Sequence, residues 1–417
     1  MFAISWRAAP LWGLILALST GPASAQDPRV VTLDDALELS GVAAEADTAI
    51  TNPRLVGPRA ETDAAVALVD QARLSPNPEI SFDVENVAGS GAFSGLQSTE
   101  YTLSIGQRLE LGGKRSARVD AAEAQAELAS LRADLTTVEL GQLVRERYLA
   151  AVAAAARVEL AEDVVARNEE LARIAGVLVE VGREPPLRAL RADAALAEAR
   201  AHLVEAEAES LSARTALAAL WAGGEAPLVP AEFPDILPPA SLMAGATESL
   251  TYRVARAEST AAAAEIERQR SLRIPDPTVS AGVRRFGESG DNAFLVGVSI
   301  PLPFRDRNQG NVAAAEALLR AANAREAVAL ADYEQAVATA RARYLGAEAR
   351  VDTLSQTSLP QAEEALRLVS IGYRNGRFPL IEVLAAAEAR DTIREALIAA
   401  REQRGLAAAE LIGLAAQ

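Results

Sequence analysis

The side chains that could perform chemistry in this chain of 417 residues are mainly carboxylates. The chain has no cysteine, which excludes disulfide frameworks, thiolate nucleophiles and thiolate metal sites. His202 is the only histidine, which excludes zinc sites built from several imidazoles. The net charge of −16 disfavours nucleic-acid binding. We therefore expect no metal site, no cofactor and no nucleic-acid partner.

The spacing of the carboxylates is not typical of catalysis. Glu205, Glu207 and Glu209 alternate within a helical region, so they do not share one helix face. Gly112-Gly113 opens a helix, but the rest of a phosphate-binding loop is missing around it. We interpret the acids as solvated helix faces and predict that the protein is not an enzyme.

The elements that must position these side chains are predicted to be close-packed helices. Hydrophobic residues make up 50% of the chain, whereas aromatic residues make up only 4%. Most of the difference is alanine, which is the best helix former. Because its side chain is small, alanine also lets helix backbones approach each other closely.

Residues 1–25 predict a signal peptide. Arg7 supplies a positive start, residues 11–18 are apolar, and Ala23-Ser24-Ala25 matches the small-residue cleavage pattern. No cysteine follows the apolar run, so we expect no lipid anchor there. No later stretch approaches about 18 uncharged apolar residues. We expect an exported chain without a transmembrane helix, which would enter a membrane only as a β-barrel.

The remaining chain is predicted to be a duplicated half-protein, with repeats at residues 26–222 and 249–417 and a Pro-rich connector at 223–248. Five segments recur in the same order at an almost constant offset, which indicates duplication rather than chance. The paired segments begin at Ser75 and Ile274, Tyr101 and Phe294, Leu109 and Leu302, Val144 and Ala340, and Val181 and Asn375.

Each half is predicted to contain a helix, two strands, a long helix and a return helix. Proline pairs stop the first helix of each half, because proline restricts the residue before it to extended conformations. Glycine followed by proline marks the joints between long and return helices. We place the strands at residues 79–87, 99–111, 278–286 and 293–304. The long helices are placed at 114–181 and 309–375, the second with an interruption near Pro360, and the return helices at 186–220 and 379–414.

The strands alternate apolar and polar residues, as Ile80, Phe82 and Val84 show. Runs of about 9–12 residues suit tilted membrane strands, although a soluble hairpin with one buried face gives the same pattern. Four strands cannot close a barrel, and unpaired strand edges do not occur in lipid. Several copies are therefore required, and three would supply twelve strands. The near-heptad helix spacing also fits an ordinary antiparallel coiled coil.

Four segments carry a resemblance to a known family. They are Asn77-Pro78-Glu79-Ile80, residues 108–115 (RLELGGKR), residues 300–311 (IPLPFRDRNQGN), and Gly372-Tyr373-Arg374-Asn375-Gly376 followed by Leu380-Ile381-Glu382-Val383-Leu384. Over about residues 30–415 the chain resembles the TolC-type outer-membrane efflux proteins. It is most similar to the CzcC-like outer-membrane subunit of cobalt–zinc–cadmium efflux systems.

The resemblance implies a mostly α-helical fold with membrane β-structure, assembled as a homotrimer. A twelve-stranded outer-membrane β-barrel would continue into a periplasmic α-helical barrel, with residues 227–239 and 33–40 in a belt around its middle. The implied partners are a periplasmic adaptor (membrane fusion protein), an inner-membrane pump of the resistance–nodulation–division class and outer-membrane lipid. Some members carry a lipidated N-terminal cysteine, and this chain departs from that pattern.

The resemblance also implies a gate at the periplasmic end of the helices. Glu382 matches one acidic tip position, whereas Ala385 stands at the next. We expect one ring of carboxylates, with Arg374 and Arg377 as candidate partners. The alternative is a solvent-facing Glu382 that is favoured by its place at a helix N-terminus.

The two joints are candidate docking points for the adaptor. The family pattern implies this role for Gly182 and Arg183 in the first half and for Gly376 and Arg377 in the second, although these residues also suit simple chain reversal. We predict a passive outer-membrane duct of a tripartite efflux system that conducts divalent heavy-metal cations. The alternatives are a multidrug-efflux or type I secretion duct, and a soluble periplasmic coiled-coil scaffold or adaptor.

Overall fold

The structure, a computed structural model, describes residues 30–43, 52–221, 223–239 and 245–416. The predicted signal peptide at residues 1–25 lies outside these ranges. Within them the chain forms eight α-helices and one sheet of four strands. None of the described helices combines the length and the apolar character that a membrane crossing requires.

The two halves repeat the same order of elements. In the first half, α1 spans Leu33–Leu39, α2 Pro53–Arg73, β1 Glu79–Glu85, β2 Glu100–Arg108, α3 Lys114–Glu180 and α4 Pro186–Ala218. In the second half, α5 spans Leu250–Ser271, β3 Thr278–Phe286, β4 Asn292–Ser299, α6 Gln309–Thr353, α7 Leu359–Arg374 and α8 Leu380–Ala416. At about 1.5 Å per residue, α3 alone is about 100 Å long.

Local sequence signals set the ends of the shorter helices. Thr32 and Asp35 form a capping box at the start of α1. Asn52 caps α2 ahead of Pro53, and Ser249 caps α5 by accepting the Tyr252 N–H at 3.2 Å. The prolines at positions 76, 78, 275 and 277 follow α2 and α5, and the chain then becomes extended.

The strands form one antiparallel sheet in the order β1-β2-β3-β4, so the two hairpins of the duplication join through β2 and β3. Phe82 lies opposite Leu103, Leu103 opposite Val283, and Val283 opposite Phe294. These apolar residues share one open face, on which Phe294 is 90% exposed. Within the described residues, the outer edges of β1 and β4 have no strand partner.

The hydrophobic core lies where the long helices of the first half meet those of the second. Tyr148 and Leu149 in α3 are 2% and 0% exposed. Leu149 packs directly against Gly405 in α8, where a Cβ would lie only 2.8 Å from the leucine side chain. The buried alanines at residues 407–409 of α8 belong to the same cluster as Leu149, so small residues allow these two helices to approach closely.

The N-terminal segment and the Pro-rich connector pack on this core. Val31 N–H donates to the Leu228 carbonyl at 2.8 Å, and the Tyr148 hydroxyl donates to the Val31 carbonyl at 3.3 Å. The buried Asn52 amide donates to the Leu220 carbonyl at 2.8 Å. The Tyr148 bond holds the N-terminal segment against the middle of α3, and the other two bonds join that segment to the connector and the start of α2 to the end of the first half.

Several elements differ from the sequence prediction at their ends. β1 ends at Glu85 because Asn86 has a left-handed φ of 56°, and β4 ends at Ser299, shortly before Pro301. The long helix expected at residues 309–375 contains a π-turn at Leu354–Ser358, next to the interruption that the sequence predicts near Pro360. Pro360 follows this turn and has no N–H to donate to the helix, which explains why the regular α-helical bonding changes there.

Candidate gate and docking surfaces

The joints between long and return helices have the same backbone geometry in both halves. Gly182 and Gly376 each have a left-handed φ of 69°. The N–H that follows each glycine donates to the carbonyl five residues earlier, at 2.9 Å in the first joint and 2.8 Å in the second. This is the Schellman ending of a helix, and glycine suits it because it has no Cβ to clash at positive φ.

The two joints pack against each other through a small apolar cluster. Its buried members are Leu171, Ala175, Ala192, Tyr373, Leu380 and Val383. The Phe378 ring covers Gly372 so closely that a Cβ at that glycine would clash with it. The joints at the tips of the two helical hairpins, α3–α4 and α7–α8, therefore form one packed unit.

The structure places the candidate gate residue Glu382 in the exposed first turn of α8. Its N–H donates to the Pro379 carbonyl at 3.1 Å, which fixes the start of the helix. Arg374 and Arg377 are exposed at the same joint. In the part of the chain that the structure describes, no hydrogen bond or ion pair joins the Glu382 carboxylate to either arginine.

The duplicated joints carry different charges at the corresponding position. When the two joint glycines are aligned, Arg188 is the counterpart of Glu382, and Glu184 is the counterpart of Phe378. Arg188 Nε lies 3.1 Å from Glu184 Oε2, so these two residues of the first joint neutralise each other. The second joint has the aromatic Phe378 at the position of that partner, and the Glu382 carboxylate has no ion-pair partner within the described residues.

Two ionisable groups at the tip have shifted pKa values. Burial raises the pKa of Tyr373, and the nearby Glu184 carboxylate raises it further, so the hydroxyl stays neutral. A hydrogen bond from Arg173 lowers the pKa of Glu170, and Arg374 lowers it further through its charge. Arg374 therefore lies within electrostatic reach of α3 as well as of its own joint.

Both candidate docking joints are open to solvent. Arg183 and Arg377 are exposed beside their glycines, and apolar neighbours are exposed with them, including Val181 at 62% and Ile381 at 53%. Such a mixture of cationic and apolar groups suits contact with a protein partner. Among the described residues, no group of three or more His, Asp or Glu side chains is placed to hold a metal ion.

The sequence prediction missed a series of ion pairs between α3 and α8. They join Arg157 to Glu395 and Glu402, Asp163 to Arg394, and Arg167 to Asp391. The partners lie between 224 and 245 residues apart, so no local pattern in the sequence marks them. These ion pairs hold α8, the return helix of the second half, against α3, the long helix of the first half.

Sequence comparison places both halves in one family. The profile of the family described as outer membrane efflux protein matches residues 47–223 and 247–417. The chain is 34% identical to the cobalt-zinc-cadmium resistance protein CzcC of Cupriavidus metallidurans, over 85% of this chain and 83% of that protein. It is 32% identical to the nickel-cobalt-cadmium resistance protein NccC of Alcaligenes xylosoxydans, over 76% and 71% of the two chains.

The fold matches that of a solved outer-membrane protein. VceC from Vibrio cholerae superposes with a TM-score of 0.75 at 21% identity, over 92% of this chain and 96% of that chain. The resemblance inferred from the motifs and the TolC-like, mostly helical fold are thus confirmed. The family consists of efflux channels rather than enzymes. The chain therefore belongs to the outer membrane efflux protein family and is an outer-membrane efflux channel subunit.

Proposed function

We propose that three copies of this chain form a passive duct that carries divalent heavy-metal cations from a periplasmic adaptor to the cell exterior. An inner-membrane pump of the resistance–nodulation–division class would supply the energy. The single observation that supports the duct best is the sheet at the end of the long helical hairpins. It has one open apolar face, one polar face and, among the described residues, two edges without a strand partner.

The free edges of the sheet require further copies. In lipid, an unpaired backbone N–H or C=O costs several kcal/mol, so β1 and β4 need strand partners. Pairing β4 of one copy with β1 of the next satisfies both edges, and three copies give a closed barrel of twelve strands. The apolar face, which includes Ile80 at 75% and Phe294 at 90% exposure, would then meet lipid.

A mass measurement on detergent-solubilised protein tests this assembly. We expect the protein to fractionate with outer membrane and to have the mass of three chains. A monomer that is soluble without detergent would contradict the duct and support the coiled-coil scaffold.

The proposed cargo rests on the relatives, which are named as resistance proteins for cobalt, zinc, cadmium and nickel. We expect deletion of the gene to increase sensitivity to these metals, and expression of the intact chain to restore resistance. Sensitivity to drugs without sensitivity to metals would contradict the metal assignment and favour a drug-efflux duct.

Glu382 is proposed to form a ring of three carboxylates that narrows the periplasmic mouth. Arg374 and Arg377 of neighbouring copies are its proposed partners, since Glu382 has no partner within the described chain. We expect Glu382→Ala to raise conductance or to weaken cation selectivity in planar bilayers. Glu388→Ala, at an exposed position one to two turns further along α8, is the matched control. Unchanged currents in Glu382→Ala would rule out the gate.

The joints at Gly182-Arg183 and Gly376-Arg377 are proposed as adaptor-docking points. A photo-reactive side chain at Arg183 or Arg377 should cross-link to the adaptor, whereas one at Glu207, which is also exposed but lies on the shaft of α4, should not. Adducts of equal yield at all three positions, or no adducts at the joints, would leave the joints as simple chain reversals.

A further inference from the structure

A charged cluster lies on the polar face of the sheet at the end remote from the helices. Arg284 in β3 reaches two carboxylates on neighbouring strands, with its Nη2 2.7 Å from Glu85 Oε2 and its Nη1 2.9 Å from Glu100 Oε2. Its Nε donates to Thr102 Oγ1 at 2.9 Å. One guanidinium thus uses all three of its nitrogens to join β1, β2 and β3.

The position of this cluster follows from the strand directions. β1 and β3 run away from α2 and α5, so their last residues lie furthest from the helices, and β2 begins at the same end. Asp83 lies opposite Thr102, and Thr102 lies opposite Arg284, which puts Asp83 on the same polar face. Asp83 is exposed and has no hydrogen bond or ion pair within the described chain.

In the proposed trimer this polar face must line the lumen. A barrel strand turns its apolar side to lipid and its polar side inward, and the apolar side here carries Phe82, Leu103, Val283 and Phe294. The cluster would then encircle the outer mouth of the duct. This step rests on the proposed function, because a single chain has no lumen.

We propose that Arg284 sets the ion selectivity of the outer mouth. Three carboxylates and one guanidinium give each copy a charge of −2 at this level, and three copies give −6. Such a ring favours cations over anions, and the arginine limits the charge, so that cations are drawn through without being held. Cargo of the proposed chemistry, a divalent cation, would pass this ring last.

A purely structural role for Arg284 is the competing explanation, since its bonds also connect β1, β2 and β3. The two roles differ in what they change. Loss of bonds between the strands lowers the stability of the assembly. Loss of a charge that acts on passing ions shifts the reversal potential of open channels.

Reversal potentials in planar bilayers under a KCl gradient provide the test. Arg284→Gln changes the ring from −6 to −9, so the K⁺ to Cl⁻ permeability ratio should rise at least about 1.5-fold. Asp83→Asn changes it from −6 to −3, so the ratio should fall to about half. Because Asp83 is unpaired, its substitution leaves the strand contacts intact and remains informative if Arg284→Gln fails to assemble.

Arg285→Gln is the matched control. Arg285 is the next residue and carries the same charge, but it is exposed on the apolar face. We expect its permeability ratio to equal that of the wild type. Opposite shifts in the Arg284 and Asp83 variants, without a shift at Arg285, support the proposal. Channels that conduct but keep one selectivity in all variants would overturn it while leaving the duct intact, and absence of any channel would contradict the proposed function itself.

Discussion

The ion pair between Lys114 and Asp276 should carry much of the connection between the helices and the sheet. Lys114 opens α3 in the first half, and Asp276 stands between two prolines just before β3 in the second. The Nζ to Oδ1 distance is 2.6 Å, and the two side chains are only 9% and 15% exposed. Asp276 Oδ1 also accepts the Leu111 N–H at 3.0 Å, so one carboxylate binds both the start of α3 and the turn that connects β2 to it.

The expected loss of stability on breaking this ion pair follows from the distance and the burial of the two charges. At 2.6 Å, two unit charges attract by about 6 kcal/mol in an effective dielectric of about 20. Desolvation of both charges offsets a large part of this, but removal of one partner leaves the other buried and uncompensated. We therefore expect Lys114→Met or Asp276→Asn alone to lower the free energy of unfolding by about 3–5 kcal/mol.

The double variant should recover most of that loss. Lys114→Met with Asp276→Asn removes both charges, and the asparagine oxygen still accepts the Leu111 N–H. We expect its free energy of unfolding to lie within about 1 kcal/mol of the wild type, because buried pairs and neutral replacements are often equivalent. The coupling energy between the two sites would then be about 5 kcal/mol or more.

Urea unfolding in lipid vesicles, followed by far-ultraviolet circular dichroism, measures these differences. Glu123→Gln serves as the control, because Glu123 pairs with Arg73 at 3.0 Å but both side chains are more than half exposed. That variant should lose no more than about 1 kcal/mol. If the double variant instead loses the sum of the two single losses, the charges are not coupled and the reasoning fails.

Two further predictions concern pH and the joints. A hydrogen bond from Arg118 lowers the pKa of Glu110 below its ordinary value of 4.5. The resulting stability is therefore complete above pH 4.5 and is lost as the pH falls through the lowered pKa. Glu110→Gln should flatten the fall of the urea midpoint in that range. Gly376→Ala should cost about 1–2 kcal/mol, since φ is 69° there, whereas Gly176→Ala, inside α3 with no atom within 4 Å of the added Cβ, should gain about 0.5–1 kcal/mol.

An equally steep acid loss in Glu110→Gln would contradict the first of these two predictions. For the joints, amide hydrogen exchange separates local from global effects: Gly376→Ala should speed exchange at the tip alone. If Gly376→Ala and Gly176→Ala changed the free energy of unfolding and the exchange rates equally, the left-handed backbone at Gly376 would not determine the cost of adding a Cβ.

Features encoded by one or two residues could be predicted from the sequence. Gly182 and Gly376 mark helix ends because glycine, which has no Cβ, enters the left-handed region more easily than other residues, and that requirement is local. Alternation of residues such as Phe82 and Leu103 likewise shows which side chains share a face, because the strand period is fixed at two.

Features that depend on distant partners could not be predicted in the same way. The pair of Arg157 with Glu402 joins residues 245 positions apart, and many exposed arginines and glutamates would fit it equally well in a linear sequence. The ion pairs of Arg284 were missed for a similar reason, since Glu85, Glu100 and Arg284 meet only when β2 pairs with β3. The charge of a residue alone does not identify which oppositely charged residue it will pair with.

The π-turn in the second half brings the rotational phase of the two hairpins close to agreement. From the buried Tyr148 to Gly182 the first half advances 34 residues, whereas the second half advances 32 from the buried Tyr344 to Gly376. A deficit of two residues alone would turn the second tip by about 200°, at about 100° per residue. The turn at Leu354–Ser358 absorbs one more residue without advancing the α-helical phase. The second joint is then rotated by about 300° relative to the first, which is equivalent to a difference of only about 60°. The shorter helical hairpin of the second half therefore turns nearly the same side toward the helices packed against it.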